Sequence, residues 1–232
     1  MGVKAINALQ EIWNGFDFSR LQEIFMRVIP ALLCITLHEL SHGAVAYALG
    51  DDTAKKAGRL TLNPIKHLDV MGLLMMVIFR FGYAKPVPVD MMKFKNPKRG
   101  MAITAFAGPL SNVLIAMVFL FLYGFFYPIL RTGGVWEILL EMLAITATLS
   151  FAMAIFNLIP IPPLDGSKVL FSLLPEEGYW RLMQYERYGF VVLIALLYFN
   201  ILDTPLQWLL SHGMNLLMPL FWGGFKLGSM IV

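Results

Sequence analysis

Cysteine is nearly missing: Cys34 is the only one in the chain. A single thiol cannot close an internal disulfide, so no disulfide framework is available and nothing reports an oxidising compartment. Charge is scarce as well. Asp, Glu, Lys and Arg make up 14% of the residues, against about 25% in soluble domains. The net charge is only +3, and no basic block is interleaved with aromatics, which argues against nucleic acid as a partner. Internal repeats and low-complexity segments are missing too. Residues 1–20 carry Glu11, Asp17 and Arg20 and lack an early apolar run ending in small residues. They read as an amphipathic N-terminal segment rather than a cleaved signal peptide.

Apolar side chains fill the space that charge leaves. They make up 58% of the chain, where a soluble domain carries about 45–50%. Long apolar runs accompany that excess, so the chain reads as an integral multi-pass membrane protein with the lipid bilayer as its solvent. The expected fold is all-α and polytopic, with about five to six membrane helices and a small membrane-associated β-segment. Three divisions follow: residues 1–20, a core over 21–187, and C-terminal membrane helices over 188–232. Spanning helices are predicted near 21–49, 100–130 and 136–158, with shorter ones at 188–202 and 205–222. The apolar run at 70–81 is too short to span and reads as re-entrant. "GRLTLNP" (58–64) alternates like a strand. "YAKPVPVD" (83–90) has to be extended, because prolines at alternate positions disallow helix.

Ten of the 18 Lys and Arg residues fall between 51 and 100, and only Arg131 lies in the turn between the second and third spans. By the positive-inside rule the 51–100 region faces the cytoplasm and the turn faces out. The cytoplasmic ends of the first and third spans then lie at one membrane depth.

The polar residues inside the first span are "HELSH" (38–42). Ionisable groups within a span cost roughly 2.5–3.5 kcal/mol each near its centre, so they usually mark function. Two histidines at i and i+4 share a helix face and can reach one Zn²⁺, while Glu39 can take a proton from metal-bound water. A catalytic zinc wants three protein ligands and one open position. Candidates for the third are His67, His212, Asp51, Asp52, Asp69 and Asp165. His212 belongs to the far side, and the others in 51–69 read as solvated loop residues. Asp165 is favoured, because it follows "NLIPIPPLDG" (157–166), where prolines unwind the backbone. Unwound backbone at membrane depth is tolerated only where it is buried in protein or lines a cavity. Cys34 lies four residues before His38 on the same face and reads as a buried apolar side chain.

"HELSH" followed by "NLIPIPPLDG" resembles the two signatures of the site-2 proteases, the intramembrane zinc metalloproteases. "GPLSN" (108–112) resembles that family's element on the intervening helix, and "GRLTLNP" with "AKPVPVD" its β-segments. The resemblance covers about residues 25–190, in a compact form without a PDZ domain. It implies one zinc ion held by His38, His42 and Asp165, with Glu39 activating water. It implies that Asn157 contacts the substrate or its oxyanion, with Asn112 as a nearby polar partner. The implied substrates are transmembrane proteins cut within or near their spans. The strand-like "GRLTL" would be the edge on which an unwound substrate pairs. A prenyl-processing zinc protease shares H-E-x-x-H, but such enzymes usually take Glu as third ligand. A membrane metal-binding or transport protein using the same ligands is the alternative from another class, and it would not need Glu39.

Overall fold

The computed structural model describes residues 18–69, 85–131 and 133–232. The predicted re-entrant run at 70–81 and nearly all of the predicted N-terminal segment lie outside them. Helix α1 (Phe18–Ala48) leads into a single helical turn, α2 (Thr53–Lys56), and a 3₁₀ turn at Pro64–His67. After a strap at 85–90 and a second 3₁₀ turn at Met91–Lys93 come α3 (Pro97–Leu130) and α4 (Val135–Asn157). Four helices follow: α5 (Asp165–Phe171), α6 (Glu176–Gln184), α7 (Glu186–Tyr198) and α8 (Asp203–Gly228). Local chemistry sets these limits. Asn96 caps α3, its side chain accepting from Arg99 N, with Pro97 in the first turn where a missing N–H costs nothing. Three prolines after Asn157 stop α4.

Three helices are long and apolar enough to cross a membrane: Ile24–Ala48, Pro97–Leu130 and Val135–Asn157. They match the three predicted spans closely. Helices α7 and α8 could together make a fourth, bent by 84° at the break between them. The described residues therefore carry three or four candidate spans, not the expected five to six. The reason is length: 13 residues of α7 reach only about 20 Å at 1.5 Å per residue, short of a hydrocarbon core of about 30 Å.

The expected β-segment is also corrected. Among the described residues none is in a strand. The alternating "GRLTL" satisfies its backbone locally instead, with Arg59 N bonded to Ala54 O and Thr61 N to Arg59 O. Asn63 then accepts from Ile65 N and opens the 3₁₀ turn. The strand expected as the edge for a pairing substrate is therefore not formed among the described residues. Residues 85–90 have no regular structure. Pro86 and Pro88 hold them extended, since each fixes its own φ and restricts the residue before it.

Helix α3 is central, packed against α1, α4 and α8, with Leu120, Ala147 and Phe221 in a buried cluster at the α3–α4–α8 junction. Helix α5 also packs on α3. The H-E-x-x-H helix and the residue after the proline break are thus brought to the same helix.

Candidate metal centre

His38 and His42 are both buried on α1. Their Nε2 atoms lie 3.0 Å apart. Asp165 Oδ2 is 3.2 Å from each of them. These three are the one group of His, Cys, Asp or Glu among the described residues whose ligand atoms converge as a metal site requires. A tetrahedral zinc with bonds of about 2.0–2.1 Å separates its ligand atoms by about 3.3 Å, so the triangle has the right size. Burial alone would raise the Asp165 carboxyl. The two facing imidazoles override it and hold the group well below the usual carboxylate range.

The chemistry of the donors fits as well. His42 Nδ1 is 2.7 Å from the Thr104 carbonyl oxygen. A carbonyl only accepts, so Nδ1 carries the proton and Nε2 presents a lone pair toward its two neighbours. On His38 the corresponding partner is Asn112, whose amide nitrogen is 3.2 Å from Nδ1. In this orientation Asn112 Oδ1 is buried without a partner. A half-turn of the amide puts Oδ1 on His38 Nδ1–H and bares His38 Nε2, the form a metal ligand needs.

Two glycines make the approach possible. A Cβ on Gly108 of α3 would run into His42 Nε2 and the His38 ring. A Cβ on Gly166 would run into the carbonyls of Leu158 and Ile159. The first lets α3 press against the histidines. The second lets the proline-broken segment fold back so that Asp165 points at them. The Gly of "GPLSN" and the Gly of "LDG" are thus both explained by contact.

Glu39 sits beside the triangle, 9% exposed. Its Oε2 accepts from the backbone N–H of Val87 at 2.9 Å. A cavity of about 940 Å³ opens over the site, lined by His38, Glu39, His42, Asp165 and Asn157 among others. Asn157, the last residue of α4, donates from Nδ2 to Met153 O at 3.0 Å. That leaves its amide oxygen and second N–H for the cavity. Asn112 is fully buried and faces His38. It lies behind the ligand and not in the cavity lining.

The other candidates are elsewhere. His67 is buried and bonded to Thr61 O. His212 is exposed on α8 and bonded to Trp208 O. Asp51 and Asp52 bind Thr53, Lys56 and Lys93, and Asp69 is not in the converging group. Cys34 is fully buried, its thiol against Thr146 O at 3.8 Å. Sequence reading missed Thr104 and Val87 because both act through the main chain, which no side-chain type announces. It also missed Lys168 and Glu186, which meet at 4.0 Å in the cavity wall and join α5 to α7.

Comparison with known proteins agrees with this geometry. The description "Peptidase family M50" matches residues 128–199. YwhC of Bacillus subtilis, named as a candidate zinc metalloprotease, is 38% identical over 202 residues, covering 84% of this chain and 90% of its own length. Rip2 of Mycolicibacterium smegmatis, named likewise, is 30% identical over 183 residues, covering 75% of this chain and 67% of its own. A zinc metalloprotease of Methanocaldococcus jannaschii is 30% identical over 167 residues, covering 68% of this chain and 38% of its own. No solved structure matches the chain. With the two signatures folded into one triangle of ligand atoms, and with YwhC matched over nearly its whole length, the chain belongs to peptidase family M50, the site-2 protease family of zinc metalloproteases.

Proposed function

We propose that this metalloprotease hydrolyses peptide bonds within or near transmembrane segments of other membrane proteins, using one zinc ion per chain. The observation that carries the reading is the position of the ligand triangle. His42 lies six residues and His38 ten residues before the end of α1, so the site sits about 9–15 Å along a spanning helix from its terminus. A buried site at that depth, under a cavity bounded by helices, suits a substrate that arrives through lipid.

His38, His42 and Asp165 would hold the metal. Bound there, zinc would lower the pKa of a water to about 7 and polarise the scissile carbonyl. Glu39 takes the water proton and returns it to the leaving amine. Asn112, the nearby polar partner, fixes the His38 ring. Asn157 offers its free amide groups to a substrate backbone that has unwound. The test is cleavage of a transmembrane substrate in lipid vesicles by the purified chain, with a zinc-stripped sample as blank. In that assay Asn157→Ala should cut the rate at least tenfold, in line with about 10²–10³ for loss of an oxyanion donor, while zinc content and melting temperature stay near wild type. Activity and melting temperature falling together would leave Asn157 as the cap of α4.

The active site faces the cytoplasmic side in this proposal, because α2 and the residues around it carry the Lys and Arg excess. Ala57 is exposed after α2, and Val135 is exposed at the start of α4. In a Cys34→Ser background, an impermeant thiol reagent applied to intact cells should label Val135→Cys and spare Ala57→Cys. Labelling of Ala57→Cys from outside would invert the orientation.

A further inference from the structure

The strap at 85–90 is tied down at three points. At its start, Lys85 N donates to His67 O at 2.9 Å and Arg59 Nη2 donates to Lys85 O at 2.6 Å. At its end, Asp90 N donates to Asp51 Oδ2 at 2.7 Å. Between them Val87 N donates to Glu39 Oε2 at 2.9 Å. Pro86 and Pro88 have no N–H, so Val87 supplies the one main-chain donor of the three central residues. The side chain of Val87 is buried against α1, its Cγ1 next to the space that a Cβ on Gly43 would take.

The anchors are as deliberate as the contact. Asp51 is fully buried. One of its oxygens receives Thr53 N at 2.9 Å, with the Thr53 hydroxyl close beside it, and the other receives the strap. Lys93 Nζ lies 3.5 Å from Asp51 Oδ1, the oxygen that receives Thr53 N. Asp51 and Arg59 lie in the segment that leaves α1, the helix that carries Glu39. They therefore hold the strap in register with the carboxylate it contacts.

We infer that the Val87 main-chain N–H is a positioning group for Glu39, and that Asp51 and Arg59 are positioning residues acting through the strap. The inference rests on the proteolytic reading above. A carboxylate on a three-carbon side chain has several rotamers. Fixing one oxygen on an N–H restricts those rotamers and leaves the other oxygen outside that bond, on a residue that lines the cavity with the ligand triangle. Metal binding should be untouched, because the strap makes no hydrogen bond to His38, His42 or Asp165 among the described residues. Pro86, Val87 and Val89 line the cavity, so the side-chain share of any effect is read from Val87→Ala.

The test separates the donor from the side chain. Val87→Pro deletes the N–H in a segment already extended by its neighbours, and Val87→Ala keeps it. In the purified full chain with a transmembrane substrate, kcat of Val87→Pro should lie at least tenfold below that of Val87→Ala, with KM and zinc content equal. Asp51→Ala should lower kcat in the same direction without changing zinc content. Equal kcat in the two Val87 variants overturns the inference. A higher kcat in Val87→Pro also overturns it and makes the contact an inhibitory latch. A second measurement does not depend on turnover. In protein labelled with ¹⁵N-valine, the Val87 amide should exchange with solvent at least tenfold faster in Glu39→Ala than in wild type. Unchanged exchange overturns the inference even if Val87→Pro does not fold. Failure of the proteolytic reading looks different: wild-type protein would then cleave no transmembrane substrate, whatever the Val87 amide does.

Discussion

Glu39→Gln should keep its zinc and lose cleavage. The glutamine amide has nearly the carboxylate's shape, and its oxygen can still accept the Val87 N–H. It is not one of the three converging ligand residues, so the metal should stay. It cannot take a proton from water, however, and a positioned general base contributes about 10²–10⁴ in rate. The expected result is one zinc per chain by elemental analysis and a loss of cleavage of at least a hundredfold. The same variant separates two functional classes. A transporter or metal store built on His38, His42 and Asp165 has no use for a base. In that case Glu39→Gln would leave metal uptake into vesicles unchanged, and wild-type protein would cleave no transmembrane substrate. Cleavage that survives the substitution would place the base elsewhere, and among the described residues no other carboxylate besides Asp165 and the Lys168-paired Glu186 lines the cavity.

The parts of this molecule that lie in one stretch of sequence were readable from it. Apolar runs of spanning length predicted α1, α3 and α4 within a few residues, because in lipid a helix is the only open-chain way to satisfy the backbone. H-E-x-x-H predicted that two imidazoles would share one helix face, and their Nε2 atoms do meet at 3.0 Å. Asp165 was legible less directly. The prolines announced that the backbone leaves the helix, and Gly166 announced a close approach without saying to what. Two features misled. "GRLTL" has the alternation of a strand, but with Asn63-Pro64 following it turns back and bonds to itself. Strand pairing needs a partner that local sequence cannot supply. The last two apolar segments looked like two spans because composition does not record the 84° bend between α7 and α8. Asn112 was expected as a nearby polar partner, and the group it meets is the His38 ring. Four residues after Gly108 it shares that glycine's face of α3, which points at His38 and not into the cavity.

Asp165→Ala should strip the zinc and with it all cleavage. The metal would be left with two imidazoles from one helix turn, where a catalytic zinc takes three protein ligands. The lost group is also the only anion in the triangle, and it is the only ligand brought from the far side of the proline break. Even residues that merely orient a ligand cost about 10–100-fold in metal affinity when removed, so losing a ligand should cost more than a hundredfold. The measurement is zinc retained after dialysis against a weak chelator, with wild type at about one per chain. His38→Ala and His42→Ala should behave alike. His67→Ala and His212→Ala bound the result from the other side, since the first histidine is bonded to Thr61 O and the second to Trp208 O, both away from the triangle. They should retain zinc. His67→Ala should also lower the melting temperature, because its side chain is fully buried and packing is lost while the metal stays. Asp165→Asn sharpens the point: the amide keeps the volume and one acceptor oxygen but loses the charge, so its occupancy should fall between alanine and wild type. Full zinc in Asp165→Ala, with metal lost instead on changing His67 or Asp69, would break the link between the proline-broken segment and the H-E-x-x-H helix on which the whole site is built.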